Sequence, residues 1–166
     1  MINKKMASML NEQFGKELYA SNLYLSISSY FDNENLEGFA NFFIVQSDEE
    51  HGHAMRIFNY LHDVDAKIEM PAIAKPPAKF KSTVHAFEET LKQEKQNSKD
   101  IYNVVKQALK ENDFATHTFL QWFITEQVEE EASVKRILEQ LYMIGNNKSA
   151  LFLLDKDLAS RKVGEE

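Results

Sequence analysis

The 166-residue sequence contains no cysteine. This absence excludes disulfide bonds, thiolate metal sites and cysteine nucleophiles together. A metal site in this chain would have to be built from carboxylates, imidazoles or amides, which favour harder metal ions than thiolates do. A chain without cysteine is also compatible with a reducing compartment, and we expect the protein to be cytoplasmic.

Residues that interrupt helices are scarce. There are three prolines and five glycines, and all three prolines lie in one stretch between residues 65 and 79. This distribution favours long helices over a sandwich or a barrel of strands. Hydrophobic residues make up 43% of the chain. That content is enough to bury a core, and we expect residues 1–166 to form a single domain.

The chain also lacks long apolar runs and an excess of positive charge. No run approaches the roughly 20 apolar residues that span a bilayer, and the first residues lack the apolar core of a signal peptide. The net charge is −7, so the surface repels phosphate and attracts cations. We therefore expect neither a membrane partner nor a nucleic-acid partner.

The hydrophobic pattern has the 3.6-residue period of helices in five segments. They are predicted at about residues 5–31, 36–64, 82–110, 114–144 and 149–160. Short turns join the first helix to the second and the third to the fourth, which predicts two antiparallel pairs. The long proline-containing connector can carry the chain back along the bundle. The pattern predicts an all-α four-helix bundle with one long crossover and a short fifth C-terminal helix.

Six residues able to bind metal ions lie on helical seams that are otherwise apolar. They are Glu17, Glu50, His53, Glu94, Gln127 and Glu130. Glu17 precedes Glu50 by 33 residues. Glu94 precedes Gln127 by the same 33 and follows Glu17 by 77. A shift of 77 residues also aligns several apolar seam positions. This repeat predicts a doubled helical hairpin in which each half supplies ligands to one centre.

Helical geometry and charge favour a metal centre over a set of solvated surface positions. Residues three apart on a helix share a face, so Glu50 and His53 form one ligand unit, and Gln127 and Glu130 form another. Four glutamates in a bundle core are costly to desolvate, and no lysine or arginine shares their seams. Two divalent cations would balance the four negative charges. An oxygen-rich site with one imidazole suits iron or manganese.

Several motifs carry a resemblance to a known family. They are Glu17-Leu-Tyr19, Glu49-Glu50-x-x-His53-Ala54, Glu94, Phe119-Leu-Gln-Trp122 and Glu126-Gln-x-Glu-Glu-Glu131. The sequence is similar to the non-haem bacterial ferritins over nearly its whole length. The resemblance implies a ferritin-like fold and a ferroxidase that oxidises Fe(II) to Fe(III) with oxygen or peroxide. It also implies a homo-oligomeric shell of 24 subunits that stores ferric mineral. No haem is expected, because Gln127-x-x-Glu130 stands in place of a second Glu-x-x-His motif.

The resemblance assigns roles to individual residues. It implies that Glu17, Glu50 and His53 hold the first of two irons. Glu50 would also bridge to the second iron, which Glu94 and Glu130 would hold as well. The expected ferroxidase centre therefore contains two iron ions on five residues, with Glu50 shared between them.

Further residues are implied around this centre. Gln127 would hydrogen-bond near the second iron. A third iron site is implied at four glutamates: Glu49, Glu126, Glu129 and Glu130. Tyr24, two turns beyond Glu17 on the same seam, would supply an electron or a hydrogen bond, and core packing is nearly as good an explanation of its position.

Some features permit more than one interpretation. Gly52, inside the second helix, indicates either close packing or local slack near the metals. The fifth helix lines a fourfold axis by resemblance, whereas its apolar residues also suit a cap on the bundle end.

An alternative function is a di-metal carboxylate oxidase or oxygenase, which would act on an organic substrate in a small oligomer without mineral storage. A structural bundle with a degenerate site is disfavoured, because every ligand position retains a competent residue.

Overall fold

The computed structural model describes residues 2–164 and contains five helices. They are α1 (Lys4–Asn33), α2 (Glu37–Asp63), α3 (Thr83–Lys110), α4 (Phe114–Ile144) and α5 (Lys148–Leu158). The predicted helix bounds agree with these to within two residues. No strand occurs in residues 2–164, so the predicted all-α class is confirmed. None of the described helices is long and apolar enough to cross a membrane.

Short polar side chains determine where the helices begin and end. Four N-cap side chains each accept a hydrogen bond from a backbone N–H in the first turn of their helix: Asn3, Ser82, Asp113 and Asn147. Three turn residues that follow α1, α2 and α3 have φ between 54° and 58°: Asn35, Asp65 and Asn112. Asparagine and aspartate tolerate this left-handed conformation better than other residues with a side chain. The chain can therefore reverse direction at these turns without glycine.

The long connector between α2 and α3 runs along α1. Near the start of α1, the side chain of Asn11 donates a hydrogen bond to the carbonyl of Lys67 at 2.9 Å and accepts one from the backbone N–H of Glu69 at 2.8 Å. Near the end of α1, the hydroxyl of Ser26 donates to the carbonyl of Pro77 at 2.7 Å. The connector thus spans the length of the bundle and returns the chain to the end where α2 began. This is the predicted long crossover.

The apolar core is divided into two clusters. In α1 the first cluster uses residues 20–31, and the second uses residues 6–14. The first is rich in phenylalanine, and the ring of Phe31 stacks on Phe39 and Phe43 with centroids 5.2 and 5.6 Å apart. The second is mainly aliphatic and includes Met6, Leu10, Ile57, Leu61 and Ile101. The part of each long helix that lies between the clusters is left free for polar side chains.

The short helix α5 packs on the beginning of α2. Leu36, the N-cap residue of α2, provides no side-chain cap. Asp155 of α5 provides it instead, since its Oδ1 accepts hydrogen bonds from the N–H groups of Gly38 at 2.8 Å and Phe39 at 3.0 Å. Leu154 is buried, whereas Phe152 and Leu153 are 57% and 65% exposed. Within one chain α5 therefore caps the bundle end and presents a second, apolar face outward.

Candidate metal centre

A layer of buried polar side chains lies between the two apolar clusters. It contains the six residues that the seam pattern singled out, and each is at most 5% exposed: Glu17, Glu50, His53, Glu94, Gln127 and Glu130. They come from α1, α2, α3 and α4. Each helix contributes its polar residues at the level where its apolar seam is interrupted. The fold therefore brings all six residues into one interior layer.

Glu17, Glu50 and His53 form a compact group. Each offers one ligand atom, and the three atoms lie within 4.8 Å of one another. Nδ1 of His53 is 3.1 Å from Oε2 of Glu50. The other carboxylate oxygen of Glu50, Oε1, is buried and has no hydrogen-bond donor among the described residues. Buried polar atoms normally have a partner, and a metal cation is the partner that fits a carboxylate oxygen beside an imidazole and a second carboxylate.

A second group extends from the other side of the same imidazole. His53, Glu126 and Glu130 also offer ligand atoms that lie within 4.8 Å of one another. Nε2 of His53 is 3.6 Å from Oε1 of Glu126. The side-chain amide of Gln46 donates a hydrogen bond to Oε2 of Glu130 at 2.7 Å. His53 therefore stands between two acidic groups, one on each of its ring nitrogens.

Glu94 is held by two donors. The phenol of Tyr24 donates a hydrogen bond to its Oε1, and the side-chain amide of Gln127 donates to its Oε2 at 3.2 Å. Tyr24 is fully buried, so the packing role and the hydrogen-bonding role considered for it coexist. Gln127 also donates to the backbone carbonyl of Glu94 at 3.2 Å. The amide thereby ties α4 to α3 beside the carboxylate.

A network of amides that the sequence interpretation missed holds Glu17. The amide of Gln13 donates to Oε1 of Glu17 at 2.7 Å and to Oδ1 of Asn97 at 2.6 Å. Asn97 in turn donates to Oε2 of Glu17 at 3.1 Å and to Oε1 of Gln127 at 3.4 Å. Gln13 lies four residues before Glu17, and Asn97 lies three after Glu94, so helical spacing offered a signal. Both amides are nearly inaccessible and fix the orientation of Glu17.

Burial and mutual repulsion shift the protonation of the acidic residues. Burial raises the pKa of Glu94 to about 7. Burial, followed by repulsion from Glu94, raises the pKa of Glu130 to about 8 and that of Glu50 well above its usual range. For His53, burial lowers the pKa, but the carboxylates of Glu50 and Glu126 outweigh it and raise the pKa well above its usual value. Without a metal ion the layer therefore retains protons at neutral pH.

No lysine or arginine is buried within residues 2–164. The carboxylates of the layer thus have no fully buried protein cation to balance them, apart from a protonated His53. Charged groups in a protein interior need such a partner because desolvation is costly. Bound metal ions are the cations that match the geometry and the donor types of this layer.

The glutamates expected at a third iron site have different surroundings. Glu126 approaches His53 and Glu130, as described above, and Glu129 is exposed. Glu49 belongs to neither ligand group of the layer. Its Oε2 accepts a hydrogen bond from Nη2 of Arg161 at 2.9 Å, and its Oε1 accepts one from the N–H of Gly164 at 3.0 Å. The structure therefore does not bring all four of these glutamates together.

Aromatic residues enclose the outer side of His53. The rings of Trp122 and Phe123 lie edge-on to the imidazole, with centroids 5.3 and 6.1 Å away. The guanidinium of Arg56 lies over the ring of Trp122, 4.2 Å from its centroid. Within one chain Trp122 therefore forms a wall beside the imidazole.

Comparison with known proteins is consistent across sequence and structure. Residues 7–144 match the family profile described as Ferritin-like domain. The chain is 39% identical to a bacterial non-heme ferritin of Staphylococcus aureus (strain MRSA252), with both sequences covered completely. It is 37% identical to that of Staphylococcus haemolyticus (strain JCSC1435), again over both full lengths. The solved open pore ferritin of Archaeoglobus fulgidus superposes with a TM-score of 0.97 and 43% identity, covering 98% of this chain and 100% of that one.

Proposed function

The chain belongs to the ferritin family, and from this premise we propose that it is an iron-storage protein with its own ferroxidase centre. In this proposal the centre oxidises Fe(II) with oxygen or peroxide, and the ferric product is stored as mineral inside a protein shell. The iron is substrate and cargo. The protein supplies ligands, positions the two ions and stabilises the charge that oxidation creates.

The buried carboxylate of Glu50 is the observation that supports this proposal most strongly. One of its oxygens has no donor among the described residues, and the other faces Nδ1 of His53. In the proposed centre, Glu17, Glu50 and His53 hold the first Fe(II). Glu50 bridges to the second ion, which is held by Glu94 and Glu130. Two ferrous ions then supply four positive charges against four carboxylates.

The chemistry follows from this charge balance. Each Fe(II) gives up one electron, so the pair reduces one molecule of oxygen to hydrogen peroxide, with two protons taken up. Hydrolysis of the ferric product then releases more protons than the reduction consumes. The carboxylates are suited to the oxidation of Fe(II) because their negative charge stabilises the higher oxidation state. Tyr24 and Gln127 donate hydrogen bonds to Glu94 and so hold the second ion's ligand in place.

Storage requires an assembly, and we propose a homo-oligomeric shell of 24 subunits built from a single domain that spans residues 1–166. Large apolar side chains at the surface of the isolated chain support such contacts, among them Phe114, Val128, Met143, Phe152 and Leu153. Two similar structures are described as an open pore ferritin and an engineered closed form, both from Archaeoglobus fulgidus. As for the family in general, we assign the shell to the cytoplasm.

Replacing Glu50 tests the ferroxidase centre. Glu50→Ala removes the proposed bridge, whereas Glu37→Gln changes an exposed glutamate on the same helix. Rapid mixing with Fe(II) in air, followed by absorbance of the ferric product, measures the initial rate. We expect Glu50→Ala to lose at least about 10-fold in initial rate, since even outer ligands commonly contribute 10–100-fold to metal sites. A wild-type rate in Glu50→Ala, with folding intact, would reject this site.

A further inference from the structure

The chain that follows α5 runs along α2 toward the metal centre. Asp155 is bound at the first residues of α2. One turn later, the side-chain amide of Asn41 donates to the carbonyls of Leu158 at 3.1 Å and Arg161 at 3.0 Å. The segment 159–164 then reaches Glu49, the residue immediately before Glu50. Three successive contacts on one helix thus bring segment 159–164 to the edge of the buried layer.

Arg161 is fixed at this position by several contacts. Its guanidinium lies over the ring of Phe42, 4.4 Å from the centroid, and Nη2 donates to Oε2 of Glu49 at 2.9 Å. Both side chains of this ion pair are only 12% exposed. The remaining oxygen of Glu49 accepts the N–H of Gly164 at 3.0 Å. Segment 159–164 therefore occupies both oxygens of the carboxylate.

Glu49 lies close to the second ligand group. It follows Gln46 by three residues, so the two share a face of α2, and Gln46 donates to Glu130 at 2.7 Å. Glu130 in turn belongs to the group formed with Glu126 and His53. The positive charge of Arg161, paired with Glu49, consequently lies near an acidic group that has no buried lysine or arginine of its own among the described residues.

We propose that Arg161 is a tethered cation that competes with a metal ion for Glu49. While the guanidinium is paired with Glu49, it neutralises that carboxylate and keeps it away from Glu126 and Glu130. When an additional cation arrives beside the occupied di-iron centre, Glu49 exchanges Arg161 for it, and segment 159–164 is released from α2. Arg161 therefore sets how tightly an additional ion binds at Glu49. This inference rests on the proposed ferroxidase function and specifies how that site is regulated.

The contacts of Arg161 suit an exchangeable partner. Nη1 is buried and has no hydrogen-bond acceptor among the described residues, so the guanidinium is incompletely satisfied where it lies. A buried donor without an acceptor is unfavourable, and that penalty is relieved when the side chain moves to water. Arg161 and a metal ion both need the carboxylate of Glu49, so the competition depends on the concentration of metal ions.

Binding of Zn(II), a redox-inert probe, tests this proposal without any oxidation step. Isothermal titration of the assembled, metal-free protein resolves the two ions of the centre from an additional one. We expect Arg161→Ala to bind the additional Zn(II) about 10-fold more tightly, within the usual range of coupling between sites, and to bind the first two unchanged. Arg161→Lys should bind the additional Zn(II) with an affinity between those of the wild type and Arg161→Ala, because lysine keeps the charge and lacks the planar guanidinium. Lys162→Ala, an exposed neighbour, should match the wild type.

Hydrogen exchange of the wild-type protein provides a second measurement that needs no variant. The amide of Gly164 is bound to Glu49, so the additional equivalent of Zn(II) should speed exchange in segment 159–164, and the first two equivalents should not. Unchanged or weaker binding of the additional ion in Arg161→Ala overturns the proposal, and so does unchanged exchange in the wild type. Failure of the proposed ferroxidase centre gives a different result. In that case the first two Zn(II) ions would bind equally well to the wild type and to Glu50→Ala.

Discussion

The carboxylate of Asp155 on α5 accepts the N–H of Gly38 at the start of α2 over 2.8 Å. The two backbones are so close that a Cβ atom built on Gly38 would lie 1.5 Å from the carbonyl oxygen of Asp155. No side chain fits there, because the obstacle is backbone. The approach explains how α2 is capped without a capping residue of its own, and it ties the position of α5 to a single glycine.

Gly38→Ala should therefore displace α5 from α2. We expect the free energy of unfolding to fall by about 1–3 kcal/mol, the usual cost of overpacking, as measured by chemical denaturation of the metal-free protein. Gly52→Ala is the matched control on the same helix, because a Cβ there would meet no heavy atom within 4 Å. That variant should be more stable by about 1 kcal/mol, since alanine favours helix over glycine. Equal effects of the two substitutions would contradict this account of α5.

The metal-free protein should lose stability as pH rises from about 5 to about 9. The pKa of Glu94 is about 7 and that of Glu130 about 8, both raised from 4.5. A raised carboxyl pKa means that the folded state binds more protons than the unfolded state. Stability therefore declines as pH rises from the pKa of the unfolded state to the pKa of the folded state. For Glu94 the difference corresponds to about 3 kcal/mol. The raised pKa of His53 acts in the same direction.

Denaturant titrations across this pH range measure the effect, and Glu130→Gln should flatten the pH dependence. Added Zn(II) should reverse the trend, because metal binding displaces the retained protons and strengthens as pH rises. Stability of the metal-free protein that is constant or increases over this range would show that the carboxylates are not held in a protonated, buried layer.

Asn97 should contribute to binding of the first ion although it is not a proposed ligand. It donates hydrogen bonds to Glu17 and Gln127. Asn97→Ala should weaken binding of the first Zn(II) by about 10-fold or more, in line with the loss of other outer partners of metal ligands. Asn103→Ala changes an exposed asparagine on the same helix and should bind as the wild type does. Isothermal titration gives both affinities, and identical values for the two variants would count against the network.

Tyr24→Phe should affect the second ion rather than the first. The phenol donates its hydrogen bond to Glu94, which is proposed to hold only the second ion. We expect the affinity for the second Zn(II) to fall several-fold, while Fe(II) oxidation slows in parallel. An electron-transfer role alone would instead slow oxidation and leave Zn(II) binding unchanged. Comparing the two measurements on one variant therefore separates the hydrogen bond from electron donation.

Much of the architecture was predictable because helical periodicity is a local property. The helix bounds followed from apolar spacing, and the crossover followed from a connector too long for a tight turn. The polar residues of the layer were predictable for a related reason. Glu17 and Glu94 interrupt apolar seams, and the 33- and 77-residue offsets placed the interruptions at one level of the bundle.

Other features depend on contacts between residues far apart in the chain. Helical spacing offered a signal for Gln13, which lies on α1 with Glu17, but only the packing of α1 against α3 shows that Asn97 also holds Glu17. The pairing of Glu49 with Arg161 spans 112 residues and joins two residues that each suit a solvated surface. The resemblance to ferritins implied that Glu49 is a ligand of a third iron site. It did not identify Arg161 as a partner of Glu49, because the motifs of the resemblance contain ligands only.

Iron loading of the assembled protein is the decisive experiment for storage. Fe(II) is added in air far beyond two ions per chain, and protein and iron are followed together through size-exclusion chromatography. We expect soluble ferric iron to co-elute with a large shell in the wild type, and loading to be much slower in Glu50→Ala. Iron that stays near two ions per chain on a small oligomer would contradict storage and would favour the di-metal oxidase alternative.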